Sequence, residues 1–477
     1  MAVATGRERK FLIGGEWRDS GERLEIRSPQ GGTAGVTYLA SQADIEDAIR
    51  TSIRGFNVMK SLPSYKRSDL LHSIMEKIKA RREDFAVSIT LESGKPIKEA
   101  RAEVERAIMT FTIASEEAKR LPGDAIPLDL NQASEGRMGI VGRFPIGPVL
   151  GITPFNFPLN LVAHKVAPAL AAGNSIIIKP STKTPLTALL LGEVAAQSGA
   201  PSGALNVVPC SNELARKMVS DQRIKALTFT GSTEVGWELK TLAGKKKVIL
   251  ELGGNAAEII DEDADIDYAV ARSTIGAYYY AGQSCISVQR IYIHRSRYDE
   301  FVSKFVNAVR QRKVGEPMDE ATDVGPLITE DAARRVEEWV NEAVEGGAKV
   351  LTGGTRCDAY YEPTVLEGVD PKARISCLEA FGPVAIAAPF DNLSEAIDRV
   401  NDSDYGLQAS IFSNNLDHIF RAFRELEVGQ VIVNDASSYR IDHMPYGGVK
   451  DSGFGREGVR YTIEELTEMR LLAVNPR

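Results

Sequence analysis

The feature that most constrains the fold is an alternation of short apolar runs and helical stretches in residues 148–253. The runs "PVLGIT", "NSIIIKP", "ALNVVP", "IKALTFT" and "KKVILELG" are typical of buried strands, and "LTALLLGEVAAQSG", "NELARKMVSD" and "GSTEVGWELKTLA" are typical of helices. Strands that alternate with helices form a parallel sheet covered on both faces, and such sheets bind ligands at the carboxyl ends of their strands. The sequence therefore predicts an α/β protein with a ligand site at that edge.

Other regions extend this pattern. Residues 43–119 carry apolar side chains at three-to-four spacing, which predicts helices, whereas residues 121–144 are extended and rich in turns. A second alternating block covers about 254–433, and a Gly-rich tail follows from 434 to 477. A chain of 477 residues is too long for one simple core, so we expect two or three domains.

Charge and hydropathy exclude several classes of protein. A net charge of -8 argues against a nucleic-acid-binding surface. The N-terminus lacks the apolar core of a signal peptide, and the longest uncharged run, 144–163, contains four prolines that would break a membrane-spanning helix. We expect a cytoplasmic protein that binds neither nucleic acid nor membrane.

The four cysteines, Cys210, Cys285, Cys357 and Cys377, are not spaced as zinc ligands or as a disulfide framework, and the five histidines are scattered. No metal site is predicted. Cys285 lies among small, polar and aromatic neighbours in "YYYAGQSCISVQR". Its surroundings alone are compatible with a core residue or with a nucleophile.

Four further motifs contain residues of types that are used in catalysis or in ligand binding. Asn156 in "TPFNFPLN" is either a rigid amide donor for an oxyanion or part of a structural turn. Glu251 in "LELGG" is either a general base whose pKa is raised by burial or a paired structural carboxylate. Lys179 ends the strand of "IIIKPSTKTP" and either binds ribose or phosphate or marks the exit of the strand to solvent. The strand-to-helix turn "FTGSTEVG" either faces a phosphate or is an ordinary turn.

In combination these motifs resemble the aldehyde dehydrogenase superfamily across nearly the whole chain. The resemblance rests on "PFNFP", "IIKPS", "FTGSTEVG", "LELGGN", "GQSC", "LEAFGPV" and "PYGGVKDSGFGREG", which occur in the order and spacing of that family. The "KPST" turn and the "DHMPYGGVKDSG" ending are similar to the branch of lactaldehyde, phosphonoacetaldehyde and non-phosphorylating glyceraldehyde-3-phosphate dehydrogenases. The resemblance implies a Rossmann-like cofactor domain, an α/β catalytic domain and a small β oligomerisation arm.

Domain boundaries follow from the same resemblance. It implies a cofactor domain of residues 1–120 and 141–252, a catalytic domain of 253–433, and an arm of 121–140 and 434–477. Since unpaired strand edges need a partner, we expect a homodimer or a homotetramer made of two dimers.

The resemblance also implies a mechanism. Cys285 attacks the aldehyde carbon, Asn156 and the backbone N–H of Cys285 stabilise the oxyanion, and Glu251 activates the water that hydrolyses the thioester. Relatives that transfer the acyl group to coenzyme A generally lack this glutamate, and enzymes that reduce acyl phosphates have no use for it. A non-catalytic member of the fold would be expected to lack Cys285 or Glu251, and both are present.

For the cofactor, the resemblance assigns a set of residues to NAD or NADP. These are Thr153, Pro154, Phe155, Lys179, Ser181, Thr182, Gly231, Ser232, Glu379 and Phe381. NAD-preferring members often carry a glutamate three positions after the lysine, where it repels a 2′-phosphate. Thr182 occupies that position here, so we expect NADP to be accepted, together with NAD.

The substrate pocket is expected to contain Phe157, Leu161, Ser284, Ile286, Arg440 and His443. Glyceraldehyde-3-phosphate enzymes place an arginine immediately before the nucleophile, and Ser284 in that position counts against this substrate. Arg440 and His443 would meet a small anionic or hydroxylated aldehyde, although a loop salt bridge explains Arg440 equally well. The sequence favours a small polar aldehyde such as lactaldehyde or a semialdehyde, with succinate semialdehyde or glyceraldehyde 3-phosphate as the alternative type.

Overall fold

The computed structural model describes residues 7–476. Its helices, which confirm the helical pattern predicted for residues 43–119, are Gln42–Met59, Ser64–Ala80, Arg82–Ser93, Ile97–Glu117, Asn160–Ala172, Leu186–Gln197, Asn212–Ser220, Thr233–Ala243, Ile266–Tyr278, Tyr298–Arg310, Glu330–Glu345, Arg374–Cys377, Leu393–Asn401, Leu416–Glu425 and Val459–Glu465. Within residues 7–476, no helix has both the length and the apolar character needed to cross a membrane.

An eight-stranded sheet forms the first α/β unit. Its strands lie in the order Gly453–Phe454, Lys247–Glu251, Ala226–Thr230, Val149–Ile152, Ile176–Lys179, Leu205–Val207, Phe11–Ile13 and Glu16–Arg18. The five strands predicted from the β-branched runs are the five that pair in parallel, and they are almost completely buried. This confirms the predicted parallel sheet, to which the N-terminal hairpin adds two antiparallel strands.

The register of this sheet brings the predicted functional residues to one edge. Thr230 pairs with Glu251, and Ile152 pairs with Lys179, each at the carboxyl end of its strand. Because parallel strands end at the same edge, Glu251, Lys179 and the segment that follows Ile152 all face one crevice.

A seven-stranded sheet forms the second α/β unit. Its strands lie in the order Lys349–Thr352, Thr364–Glu367, Val384–Phe390, Val288–His294, Ala256–Ile260, Gln408–Phe412 and Gln430–Val433. All neighbours pair in parallel except the first two, which are antiparallel. The second alternating block is thus also a sheet covered by helices, as predicted.

Smaller sheets complete the fold. One is antiparallel and contains Thr467–Val474, Met138–Pro145 and Asp124–Pro127. It extends beyond the predicted arm boundary at 140 and takes only the last part of the segment 434–477. The others pair Thr33–Leu39 with Arg7–Glu8 and Glu22–Arg27, Arg356–Cys357 with Tyr360–Tyr361, and Tyr405–Gly406 with Val449–Lys450.

Candidate active site

A cavity of about 220 Å³ lies between the edge of the eight-stranded sheet and the segment that precedes Val288. It is lined by Arg106, Pro154, Phe155, Asn156, Phe157, Asn160, Leu161, Thr230, Gly231, Ser232, Glu251, Leu252, Gly253, Ser284, Cys285, Ile286, Glu379, Phe381, Arg440 and Tyr446. The three side chains predicted to carry the chemistry therefore meet at one small space, although they are far apart in the sequence.

Cys285 is half-buried and follows a distorted helical turn. Tyr280 and Ala281 in that turn have left-handed backbone angles, with φ of 47° and 52°, a conformation that needs support from its surroundings. Glu99 supplies it by accepting the Tyr280 N–H at 2.9 Å, and the Tyr280 hydroxyl donates to the Ser93 carbonyl at 2.8 Å. These two hydrogen bonds hold the turn that precedes Cys285 in place.

The protonation of Cys285 is set mainly by its burial. Burial raises the pKa of its thiol to about 12, while a hydrogen bond with Tyr446 and the nearby charge of Arg440 act in the opposite direction. A buried thiolate needs such partners to form at neutral pH, because the thiolate is the nucleophilic form.

Asn156 is positioned as a side-chain amide donor. It is 5% exposed, and its Nδ2 donates one N–H to the carbonyl oxygen of Gln283 at 2.9 Å. The carbonyl oxygen of its own amide is buried and has no partner among residues 7–476. Since Nδ2 carries two N–H groups, the second is available to an oxygen that develops negative charge on the cavity side.

Glu251 is buried at the end of its strand, and neither carboxylate oxygen has a hydrogen-bond partner within the described chain. Burial raises the pKa of Glu251 well above its usual range, and repulsion from Glu457 raises it further against the charges of Arg440, Lys165 and Arg456. A carboxyl group with a raised pKa is suited to accepting a proton near neutral or alkaline pH.

Two glycines allow the close packing of this centre. A Cβ atom on Gly254 would lie 2.1 Å from the carbonyl oxygen of Cys285, so the chain after Glu251 touches the backbone of Cys285 directly. Gly447 has φ of 152°, and a Cβ atom there would lie 3.1 Å from Glu251 Oε1. Larger residues at these positions would displace Cys285 or Glu251.

A second cleft of about 470 Å³ adjoins the cavity and shares Pro154, Phe155, Thr230, Gly231 and Ser232 with it. The residues predicted for the cofactor that line this cleft are Thr153, Pro154, Phe155, Lys179, Ser181, Thr182, Gly231 and Ser232. The remaining two, Glu379 and Phe381, line the Cys285 cavity, where Glu379 accepts the Gly254 N–H at 2.9 Å. The shape suits an elongated ligand that reaches from Lys179 to the cysteine.

The charged side chains that line the second cleft are all basic. Lys179, Lys183 and Arg216 line it, and its lining contains no acidic residue. Lys179 donates to Asn212 Oδ1 at 3.1 Å, and Arg216 donates to Glu238 at 2.7 Å. Burial lowers the pKa of Lys179, so an anion in the cleft would stabilise its charged form.

The predicted substrate residues are brought together with one exception. Phe157, Leu161, Ser284, Ile286 and Arg440 line the cavity. His443 does not: it is exposed and is not part of the cavity lining, so its contact with the substrate stays a prediction. The turn at this point buries the preceding residue, Asp442, which accepts hydrogen bonds from Arg106 and His164, each at 2.8 Å.

Six residues that line the cavity were not among the predicted site residues, namely Arg106, Asn160, Thr230, Leu252, Gly253 and Tyr446. Arg106 lies on the helix Ile97–Glu117, and nothing in an amphipathic helix distinguishes an arginine that reaches a cavity from a solvated one. Tyr446 falls within the motif "PYGGVKDSG", so its place could have been noticed there. No group of three or more His, Cys, Asp or Glu side chains within residues 7–476 is arranged to hold a metal ion.

Comparisons with known proteins agree with this geometry. Residues 17–472 match the model of the family described as "Aldehyde dehydrogenase family". The 3-sulfolactaldehyde dehydrogenase of Priestia aryabhattai is 44% identical over 468 residues, covering 98% of each chain. Aldehyde dehydrogenase 21 of Physcomitrella patens, solved with the reaction product succinate, superposes with a TM-score of 0.97 at 44% identity over 99% of each chain. The glyceraldehyde-3-phosphate dehydrogenase GapN of Methanocaldococcus jannaschii, solved with NADP, gives a TM-score of 0.91 at 39% identity, covering 95% of this chain and 99% of that one.

Proposed function

The chain belongs to the aldehyde dehydrogenase family, and from that premise we propose that it oxidises a short aldehyde with an acidic group at its far end, using NADP in preference to NAD. The observation that carries the substrate class is the pair of guanidinium groups, Arg106 and Arg440, on the wall of the Cys285 cavity. The volume of about 220 Å³ lies below the range of roughly 300–1,000 Å³ common for drug-sized ligands, which favours a short substrate.

Both guanidinium groups are held by carboxylates and still have free donors. Arg106 donates to Asp442 at 2.8 Å, and Arg440 lies 3.5 Å from Glu457, but the Nε–H groups of both arginines are buried without a partner among residues 7–476. Unpaired buried donors are costly unless a ligand accepts from them. A carboxylate, sulfonate or phosphate on the substrate would do so. The first two groups occur in succinate, the product bound to the similar aldehyde dehydrogenase 21, and in 3-sulfolactaldehyde, after which another similar enzyme is named.

The residues of the cavity support a two-stage reaction. The Cys285 thiolate forms a bond to the aldehyde carbon, and the second N–H of Asn156 stabilises the oxygen that becomes negative, a contribution of about 3 kcal/mol. The residues that line the second cleft, with Lys179 at its far end, would hold NADP, which would supply the hydride acceptor for that carbon. Glu251 then removes a proton from water, which attacks the thioester and releases the carboxylic acid and the thiol.

The preference for NADP rests on the charge of the second cleft. Lys179, Lys183 and Arg216 offer positive charge, and Thr182 stands where a glutamate would repel a 2′-phosphate. Coulomb attraction in a partly buried cleft favours the ligand with two more negative charges.

We also infer that the chain assembles into a homodimer or a tetramer of two dimers. The three-stranded sheet exposes apolar side chains on all three of its strands, namely Ile126, Met138, Ile140, Phe144, Met469, Leu471 and Leu472. An exposed apolar surface with unpaired strand edges is typical of an interface. Light scattering of the purified protein tests this, and we expect a dimer or larger. Leu471→Lys should shift the mass towards the monomer, while Tyr65→Ser, at an exposed site on the helix Ser64–Ala80, should not.

The substrate class is tested by comparing aldehydes that differ in charge. Succinate semialdehyde, 3-sulfolactaldehyde and glyceraldehyde 3-phosphate are assayed beside the neutral lactaldehyde and butanal, by the absorbance of reduced cofactor. We expect at least one anionic aldehyde to exceed the neutral ones in kcat/KM by about a hundredfold, since hydrogen bonds to charged groups contribute about 1.5–3 kcal/mol each. Equal efficiency for butanal and all three anions would contradict the proposal.

A matched pair of variants assigns the effect to the cavity. Arg106→Gln should raise KM for the anionic substrate by about 10–100-fold and change butanal turnover little. Arg101→Gln is the control, because Arg101 lies on the same helix but is exposed and pairs with Glu83 and Glu320. If both variants behave alike, the arginine pair does not bind the substrate.

A further inference from the structure

The hydroxyl group of Tyr446 lies against the sulfur of Cys285. Its oxygen is 3.3 Å from Sγ, and the tyrosine is only 2% exposed. Tyr446 is fixed by its backbone, which exchanges two hydrogen bonds with Glu457 across an isolated bridge. The hydroxyl is therefore a built part of the cavity wall and not a mobile group that happens to approach the thiol.

A positively charged side chain lies against the ring of the same tyrosine. The guanidinium of Arg440 lies 3.5 Å from the ring centroid, within the range of a cation–π contact, and its side chain is 7% exposed. Glu457 holds Arg440 from the other side and is itself paired with Lys165 at 2.9 Å. The positive charge of Arg440 next to the ring makes the phenolic O–H a stronger hydrogen-bond donor. It does so because it stabilises negative charge on the phenolic oxygen and on the sulfur that accepts the hydrogen bond.

The geometry points to Tyr446 as a further catalytic residue: its O–H donates a hydrogen bond to Cys285 Sγ and stabilises the thiolate, both before attack on the aldehyde and when sulfur leaves the thioester. In the first step the S–H bond breaks and its proton passes to solvent, while the O–H bond of Tyr446 stays intact. In the second step the electron pair of the C–S bond returns to sulfur, and the same O–H group donates a hydrogen bond to the thiolate that forms. The sulfur is charged twice per turnover, so one donor serves both stages.

The charges around Cys285 and Tyr446 favour the Tyr446 hydroxyl as a hydrogen-bond donor and not as a base. Burial raises the pKa of Tyr446 well above its usual value, and the proximity of Cys285 and Glu251 raises it further against the effect of Arg440. The phenol therefore keeps its proton at neutral pH. Around Cys285 itself, the hydrogen bond from Tyr446 and the charge of Arg440 lower the thiol pKa, whereas Glu379 and Glu251 raise it.

The test is the reactivity of the thiol in Tyr446→Phe, which removes the hydroxyl and keeps the ring. The exposed or half-buried Cys357 and Cys377 are replaced by serine in every protein, and alkylation of Cys285 by iodoacetamide is followed by mass spectrometry at several pH values. Below its pKa the thiol reacts in proportion to its thiolate fraction, so a pKa that is higher by about one unit slows alkylation about tenfold. We expect a slowing of this size, and a matching decrease in the rate constant of the first burst of reduced cofactor that is recovered at higher pH.

Tyr278→Phe is the matched control, because its buried hydroxyl also makes one hydrogen bond, to the Thr364 carbonyl at 2.9 Å, but does not line the cavity. It should leave alkylation unchanged. If Tyr446→Phe does not fold, as judged by circular dichroism, Tyr446→Leu replaces it, because it also removes the hydroxyl, and slower alkylation is again expected. Alkylation profiles that superimpose on the parent protein would overturn the inference. Since alkylation needs no aldehyde and no cofactor, this outcome is independent of whether the proposed substrate and NADP preference are right.

Discussion

Replacement of Asn156 by alanine removes two interactions whose effects can be separated. One N–H of its Nδ2 donates to the Gln283 carbonyl at 2.9 Å, and the other is free to meet the oxyanion. The first bond supports the loop that carries Cys285, and the second acts only when negative charge develops on the substrate. The variant should therefore lose a little stability and a large part of its rate.

The magnitudes follow from these two roles. Loss of an oxyanion donor costs about 3 kcal/mol in the transition state, which lowers kcat by roughly two orders of magnitude. Loss of the bond to Gln283 removes about 1 kcal/mol from the free energy of unfolding. KM should change little, since the aldehyde oxygen is uncharged in the ground state and gains less from the donor.

The assay is a stopped-flow measurement of the first turnover, with thermal unfolding measured in parallel. Asn255→Ala is the control, because Asn255 is also buried, its Nδ2 also donates to one carbonyl, that of Ser376 at 2.7 Å, and its Oδ1 also lacks a partner in the described chain. Asn255 does not line the cavity. A rate for Asn156→Ala within about threefold of the parent, or an equal loss in both variants, would refute the oxyanion role.

Three other predictions concern the base, its ionisation and the cofactor. Glu251→Gln should give a burst of one reduced cofactor per site and then a steady state slowed by about 10²–10⁴-fold, with the acyl group found on Cys285 by mass spectrometry; a linear progress curve at the parent rate would contradict this. Because the pKa of Glu251 is raised, its base form is scarce at low pH, so the hydrolysis rate of the acyl-enzyme should rise from neutral into alkaline pH and not plateau near pH 5. Thr182→Glu should lower kcat/KM for NADP by at least about tenfold and leave NAD within about threefold, and a uniform loss for both would show that Thr182 does not face the ribose.

The central fold was predictable because its strands are buried on both faces. Runs such as Ile176–Lys179 have four consecutive buried residues, and a fully buried parallel strand has no polar alternation to obscure it. The N-terminal hairpin was not predicted: Phe11–Ile13 and Glu16–Arg18 have three residues each, and their pairing with Val207 depends on a contact almost 200 positions away. Strands this short have no period that a sequence pattern can display.

The candidate site was predictable only in part, for a related reason. Cys285, Asn156 and Glu251 follow strand ends or rigid loops with recognisable motifs, and the structure places all three on one cavity, while their roles stay predictions. Arg106 was missed because its distance from the cavity depends on how a helix packs, and local sequence does not encode this. His443, which was predicted to meet the substrate, is exposed, whereas the preceding Asp442 is buried, because the direction of side chains in a turn changes over one residue.

The origin of the cavity residues along the chain has a consequence for redesign. Arg440 and Tyr446 come from the C-terminal segment, whereas Glu251 ends a strand of the eight-stranded sheet, and Asn156 and Cys285 lie in segments next to strands of the two sheets. The C-terminal segment also supplies the strand Gly453–Phe454, which pairs with the strand that ends in Glu251. Substitutions after residue 433 that change which aldehyde is accepted therefore also act on the reacting groups, so a library randomised there should be selected for retained turnover as well as for new specificity.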